Sequence, residues 1–551
     1  MKIIIPMSGI GKRFLDSGYK EPKFLINVDG KPIIEHIIDL FPGEEDFIFI
    51  CNKDHLRFSN LEDILRKKAP KARIVSIEPH KLGPVYAVSK VFEEIDDDKE
   101  VIVNYCDFGT YWDYRDFLKH TRERGADGAV PSYKGFHPHM LGIKNYAFIK
   151  EEGQWMKAIQ EKRPFTENRM NEYASNGTYY FKKGSYVKKY FKEIMDKGIT
   201  VSDEYYVSMV YNLLTRDNLK ISVYEIQHML QWGTPDDLAE YVKWSEYFKK
   251  QVLDNKDLKD TFLDENLVKL IPMAGEGLRF KKEGFDLPKP LIEVSGYPMV
   301  IQASKCLPEK GRFVFACLKN HLDNYPLKNT IKGSFSNSTF IEIDELTQGQ
   351  ASTCEMALKD VDPEAPLLIS ACDNGVIWDQ QKFYEIIEED DPEAIFWTFR
   401  NHPCTNDSPE MYGWLRTDEN DYVTGASVKK PISRTPEKDH AIVGTFYFKK
   451  TKYFLDSVKS LYTHNNRVNN EFYVDSCAEE LLRMNLKVKV FEVDHYICWG
   501  TPNDYKVYNY WQSFFHKCDW HPYGLDLDST VDPELIPKIE KEYLDFEQDH
   551  R

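Results

Sequence analysis

An apolar run, KIIIPM, ends at Met7 and gives way to Ser8-Gly9-Ile10-Gly11-Lys12-Arg13. Two glycines in such a turn reach backbone torsions that other residues resist, and they let amide N–H groups approach a ligand. Successive amides of this kind suit phosphate oxygens, and the Arg13 guanidinium adds a fixed positive fork. A tight strand-to-helix turn with an exposed arginine explains the same letters equally well; neither GxGxxG nor a GK[ST] loop is present. Lys23 follows twelve residues after Gly11, behind Pro22, which fixes the backbone before it. At that set distance from the turn it reads as a second phosphate contact rather than a solvated charge. Asp107 ends the run VIVNYCD. A carboxylate beside phosphates calls for a bridging Mg2+ with oxygen ligands; the alternative is an aspartate that caps the next turn.

Every one of these features occurs twice. PMSGIGKRF at residues 6–14 returns as PMAGEGLRF at 272–280, so Gly9 and Gly275 stand 266 apart, as do Arg13 and Arg279, Lys23 and Lys289, and Asp107 and Asp373. CNKDHL pairs with CLKNHL, NGTYYFKK with VGTFYFKK, DEYYV with NEFYV, and QWGTPDDL with CWGTPNDY at almost the same separation. A period this long means tandem domains, not a solenoid. The expected layout is a first domain over 1–250, a polar linker over 251–265, a second domain over 266–517 and a partly helical tail over 518–551.

Within each copy, short continuous apolar runs alternate with stretches of helical spacing. That pattern predicts βαβ units around a mostly parallel sheet, with ligands at the carboxyl ends of the strands. Both the glycine turn and Asp107, and likewise Asp373, fall at such ends.

Composition narrows the class. The 551 residues exceed one core, and 42% hydrophobic with 29% charged residues is ordinary for a globular protein. No apolar run is long enough for a membrane span, and no secretory signal is read at the start. Ten scattered cysteines without CxxC pairs argue against zinc and fit reduced thiols, hence a cytoplasmic location. A net charge of −17 disfavours nucleic acid as a partner. Homo-oligomerisation is left open.

The set GxGxR, Pro-Lys, strand-end Asp, Lys/Arg-Pro and WGTPxD resembles the sugar-phosphate nucleotidyltransferases, also called nucleoside-diphosphate-sugar pyrophosphorylases, over roughly 1–245 and 267–515. The nearest flavour is the small enzymes of bacterial capsule and surface-polysaccharide clusters. The resemblance implies two tandem Rossmann-like domains akin to the GT-A type. It implies transfer of a nucleoside monophosphate from a triphosphate to a phosphorylated sugar or polyol, with release of pyrophosphate. Carried over by motif, Ser8, Gly9 and Gly11 with Ala274, Gly275 and Gly277 would hold the triphosphate. Arg13, Arg279, Lys23 and Lys289 would serve the reacting phosphates, and Asp107 and Asp373 would bind Mg2+. Gly83 and Gly349 would let the nucleobase lie against backbone. Lys162-Arg163 in EKRP and Lys429-Lys430 in VKKP match the acceptor-phosphate segment; alignment on the proline selects Arg163 and Lys430. Glu204 and Glu471 either receive acceptor hydroxyls or are carboxylates at helix starts.

The sequence departs from the family where a second metal-binding aspartate stands before the GT motif: Gln231 and Cys498 occupy those places, neither a good Mg2+ ligand. Asp494 lies nearby, but its partner is Gln227. His55 and His321 are expected to cap or pack, Trp112 and Trp378 to sit in the core, and the segment around Arg169 to be a surface loop. Competing readings are one catalytic copy beside a regulatory or structural one, a glycosyltransferase of GT-A type, and a non-enzymatic nucleotide-binding protein. The acceptor-side segments RPFTENRMNEYAS and KPISRTPEKDHAI differ, which predicts different acceptors.

Overall fold

The computed structural model describes residues 1–142, 146–253, 265–402, 405 and 408–516. Most of the expected linker and the whole 518–551 tail lie outside the described residues. The chain divides into two compact units, Met1–Leu253 with the stretch from Tyr510, and Asp254–Asn509.

The first unit is built on Lys2–Met7, whose isoleucines Ile3, Ile4 and Ile5 are fully buried. It is apolar throughout because it has parallel neighbours on both sides, Asp46–Asn52 and Val101–Asn104, and helices cover both faces. Pro6 pairs with Ile50 on one side, whereas on the other the ladder ends at Ile4 and Val103. The missing N–H of proline therefore falls where the strands have already parted, and the glycine turn begins in that gap.

Across the sheet the order is Arg73–Ile77, Asp46–Asn52, Lys2–Met7, Val101–Asn104, Thr178–Phe181, Gly128–Tyr133 and Ile221–Glu225, continuing into a hairpin of Ala147–Glu152 and Trp155–Glu161. Thr178–Phe181 runs antiparallel to both its neighbours. The seven central strands thus share one direction except for this reversed strand, whereas the hairpin and Tyr173–Ser175 beyond them pair antiparallel. The second unit repeats the order with Ser338–Ile343, Arg312–Leu318, Val268–Met273, Leu367–Ile369, His440–Phe448, Ala394–Phe399 and Val488–Glu492. His440–Phe448 is its reversed strand, and its hairpin is Gly413–Thr417 with Val423–Val428.

A small second ribbon in each unit positions the strand-end aspartate. Phe108–Tyr111 pairs with His228–Gln231, and Asn374–Ile377 pairs with His495–Cys498. This ribbon brings the WGTP segment, more than 120 residues away in sequence, beside Asp107 and beside Asp373. Each letter of that segment has a local reason. Trp232 packs where a side chain at Gly109 would stand, 2.8 Å from its ring, and Trp499 does so at Gly375. Thr234 Oγ1 donates to Asp237 (2.6 Å) and accepts from the Asp237 N–H (3.2 Å), a reciprocal cap at the start of helix Pro235–Leu253. Thr501 and Asp504 do the same for Pro502–His516.

Candidate active site

The turn Ser8–Gly11 leads into the short helix Lys12–Asp16, with Gly11 in the left-handed region at φ 69°; Gly277 has φ 63° before Leu278–Lys282. A Cβ on Gly9, Gly11 or Gly275 would meet nothing within 4 Å. Protein packing therefore does not demand these glycines, and the space above the turn is open to a ligand.

Below it, Lys23 Nζ donates to Asp107 Oδ2 at 2.6 Å. Lys289 pairs in the same way with Asp373 Oδ2, and also donates to the Gly500 carbonyl at 2.9 Å. Burial disfavours both ammonium groups, but the adjacent aspartates outweigh it and hold both lysines above their ordinary range. A Cβ at Gly233 would stand 3.1 Å from Asp107 Oδ2, and one at Gly500 would stand 3.2 Å from Asp373 Oδ2. The glycine of WGTP is thus the wall that lets the carboxylate lie flat against the ribbon. Arg13 is exposed, and its charge acts on Lys23 and on Tyr206, which places it over the same cleft; Arg279 acts on Lys429 and Tyr473.

In the segment expected to meet the acceptor, the two adjacent cations differ in conformation and burial. Lys162 (φ 59°) and Lys429 (φ 61°) adopt the left-handed conformation and turn inward. Their N–H groups donate to Tyr146 O (2.8 Å) and Tyr412 O (2.9 Å). Lys162 Nζ donates to Tyr206 Oη at 3.0 Å, and Lys429 Nζ to the Met411 carbonyl. Arg163 and Lys430, next to the prolines, are exposed. Lys162→Met is therefore expected to lower kcat/KM for a phosphorylated acceptor by about 100-fold, the scale of losing one charged donor. Arg163→Met should change it less than about threefold. Steady-state kinetics in the acceptor separate the two, and the opposite ranking would restore the proline alignment.

Glu204 and Glu471 stand beside Tyr206 and Tyr473, and burial together with these carboxylates raises both phenols. The backbone after each glutamate fills the place of a side chain at Gly83 and Gly349. A Cβ on Gly83 would lie 2.8 Å from Tyr205 N and O, and one on Gly349 2.5 Å from Phe472 N. These glycines have a packing reason that needs no nucleobase.

A carboxylate that sequence reasoning missed lies between these groups. Glu161 accepts from Ser208 Oγ at 2.6 Å, and burial raises its carboxyl to about 7. In the second unit the matching letters are Val428 and Asp475, so the carboxylate comes from the other element; burial raises Asp475 to about 6, against the pull of Lys429. Gly413 makes this fit, since a Cβ there would be 2.9 Å from Asp475 Oδ1. The signal was three coupled changes, Ala147, Glu161 and Ser208 against Gly413, Val428 and Asp475, legible only once the hairpin register is known.

Because Glu161 is raised on folding, the folded chain is relatively favoured in acid, and that advantage is lost as pH rises from about 4.3, the unfolded carboxyl value, through about 7. Glu161→Gln should therefore melt a few degrees higher than wild type at pH 8, with the difference shrinking toward pH 4.5. Calorimetry at the two pH values checks this, and a pH-independent difference would sink it.

The other residues singled out in the sequence pack. His55 lies edge-on to Phe24 at 5.4 Å, and Trp378 donates to the Cys306 carbonyl at 2.7 Å. His321 is buried and Trp112 packs on Phe117 at 5.1 Å. Arg169 donates to the Gly142 carbonyl at 2.9 Å. Among the described residues, no three His, Cys, Asp or Glu side chains converge as a metal cage. A phosphate-bridging Mg2+ does not require one, since it needs one or two protein oxygens with the rest from phosphate and water. Asp107 and Asp373 would be the carboxylates to supply such oxygens. Near Asp107, the Gln231 amide lies 3.5 Å from the Gly233 Cβ position. At the second site burial keeps the Cys498 thiol protonated and it donates to Asp504 at 3.4 Å, so it adds no hard ligand.

Residues 3–171 match the model of the MobA-like NTP transferase domain. The bifunctional protein GlmU of Buchnera aphidicola subsp. Baizongia pistaciae is 23% identical over 254 residues, covering 46% of this chain and 53% of that protein. The chain spans about half the length of that curated relative. Among solved structures, the nucleoside-diphosphate-sugar pyrophosphorylase from Vibrio cholerae RC9 is 21% identical with a TM-score of 0.36, over 44% of this chain and 99% of that one. The inositol-1-phosphate CTP transferase from T. maritima is 17% identical with a TM-score of 0.35, over 44% and 94%. Residues 3–171 of the first unit are thus similar to a nucleotidyltransferase domain. No described helix is long and apolar enough to cross a membrane.

Proposed function

We propose that the chain is a tandem nucleotidyltransferase with one site in each unit. Each site joins a nucleoside triphosphate to a phosphorylated sugar or polyol. The observation that carries this reading is the duplicated lysine–aspartate pair beside a glycine turn that is open at Gly9, Gly11 and Gly275, at equivalent strand ends of two sheets with one strand order.

In this reading the amides of Ser8–Gly11 cradle the triphosphate, and Arg13 faces the β- and γ-phosphates. The acceptor's phosphate oxygen attacks the α-phosphorus. One O–P bond forms as the bond to the bridging oxygen breaks, and its electron pair leaves on pyrophosphate. Lys23, paired with Asp107 before substrate arrives, swings its ammonium onto the phosphates. Lys162 holds the acceptor phosphate in line, and Glu161 and Glu204 are within reach of its hydroxyls. Arg279, Lys289, Lys429, Asp475 and Glu471 take these roles in the second site. Mg2+ entering with the triphosphate would be held by Asp107 or Asp373 and would neutralise charge between the phosphates. Positioning and charge neutralisation carry the rate. The differing acceptor sides support two different acceptors.

We place the products among nucleotide-activated precursors of capsule or surface polysaccharide, made in the cytoplasm. The free thiols among the described cysteines suit a reducing compartment. The test is pyrophosphate release by the full chain with Mg2+, each of CTP, UTP, GTP, ATP and dTTP, and a panel of sugar and polyol phosphates. Release with particular pairs supports the reading. Nucleotide binding without release from any mixture would overturn it in favour of a nucleotide-binding scaffold.

A further inference from the structure

The first unit contains a link between its two ligand-side loops that the second lacks. Ser8, the opening residue of the glycine turn, is 3% exposed, and its Oγ lies 2.9 Å from His80 Nε2. The Leu82 N–H donates to His80 Nδ1 at 3.2 Å. Nδ1 is therefore the acceptor of a neutral ring, and Nε2–H donates to Ser8. The ring sits edge-on to Tyr86 at 4.7 Å. His80 stands three residues before Gly83, in the loop that precedes helix Pro84–Ser89. At the repeat spacing, the second unit has Ala274 and Leu346 in these places; alanine has no hydroxyl, and Leu346 is 59% exposed.

We infer that His80 is a positioning residue of the first site: its neutral imidazole clamps the phosphate turn to the loop at Gly83 and sets that site's affinity for phosphate. The second site works without the clamp. This rests on the reading of Ser8–Gly11 as a phosphate cradle. Protonation would turn Nδ1 from acceptor to donor against the Leu82 N–H, and the clamp would open. Burial lowers the His80 pKa, Lys90 lowers it further, and Glu204 opposes them; Tyr86 is the remaining titratable group against the ring. The clamp is therefore intact at neutral pH and lost in acid.

Because the His80 pKa lies below the ordinary histidine range, the probe is pyrophosphate with Mg2+, titrated calorimetrically into the full chain at pH 7.5 and pH 4.5. Lys289→Ala isolates the first site and Lys23→Ala the second, which also controls for pyrophosphate's own titration. We expect the first site to weaken in acid by about three- to tenfold more than the second, the scale of one hydrogen bond. His80→Leu and Ser8→Ala, each added to Lys289→Ala, should bind weakly at both pH values with that excess gone. His80→Gln, which can donate to Ser8 but does not titrate, should restore binding at both. First-site affinity and pH dependence unchanged in a folded His80→Leu protein would overturn the clamp. Absence of pyrophosphate binding to wild type would overturn the phosphate cradle itself, and the clamp with it.

Discussion

Asp107→Ala is expected to remove one pyrophosphate-releasing activity by about 1,000-fold or more and to leave the other within about twofold; Asp373→Ala should do the reverse. The size follows from two jobs done by one side chain. On the proposed reading, the carboxylate in each unit would be the protein oxygen offered to a phosphate-bound cation, with Gln231 and Cys498 standing where a second carboxylate is expected. The same carboxylate also holds Lys23 or Lys289 at the reacting centre. Alanine removes both, and the freed lysine then sits on the phosphates from the start, which favours bound substrate over the transition state. Asp107→Asn separates the jobs: its amide oxygen still accepts from Lys23 but brings no charge to a cation. It should lose most of the rate while melting close to wild type. Independence of the two losses follows from the lysine–aspartate pairs being internal to each unit. Loss of every activity with either variant would instead mean one composite site, and loss with only one would make the other copy a support.

Much of this arrangement was legible because the chain is its own comparison. Glycines, lysine and aspartate recurring at one separation singled out the turn and the strand end before any geometry was known. Strand direction was not legible. Thr178–Phe181 is buried on both faces, so it reads as the same continuous apolar run as its parallel neighbours although it runs against them. The lysine–aspartate pair joins residues 84 apart and exists only because the short turn Lys23–Leu25 meets the end of the strand Val101–Asn104. The inward lysine was masked for a related reason. Letters align on Pro164 and Pro431, but they do not show that the left-handed turn leaves Lys162 and Lys429 half-buried and their neighbours Arg163 and Lys430 exposed. The carboxylate at Glu161 and Asp475 escaped because position by position it looks like loss. Only when Trp155–Glu161 is seen to face the helix Val207–Arg216 does an exchange between two elements emerge.

Gly83→Ala should destabilise the first unit by about 3–5 kcal/mol, and Gly349→Ala should destabilise the second by at least as much. Both glycines combine positive φ with extended ψ, at 85° and 177° and at 129° and 177°, a region open essentially to glycine alone. An added methyl at Gly83 would also strike the Tyr205 backbone, which is pinned by Tyr205 N–H to Leu82 O (3.0 Å) and Val85 N–H to Tyr205 O (3.2 Å). At Gly349 the approach to Phe472 is closer still, and the matching bonds run from Phe472 N–H to Gln348 O (2.8 Å) and from Ala351 N–H to Phe472 O (3.0 Å). Backbone cannot rotate away as a side chain can, so the clash is relieved only by parting the loop from the segment that carries Glu204 or Glu471. Scanning calorimetry should show one transition lowered in each variant, with the larger drop for Gly349→Ala. Weakened nucleotide binding would then follow from the displaced glutamate segment. A Gly83→Ala protein that melts as wild type yet binds nucleotide poorly would assign this glycine to the base instead, because a methyl tolerated by the fold could harm only the ligand.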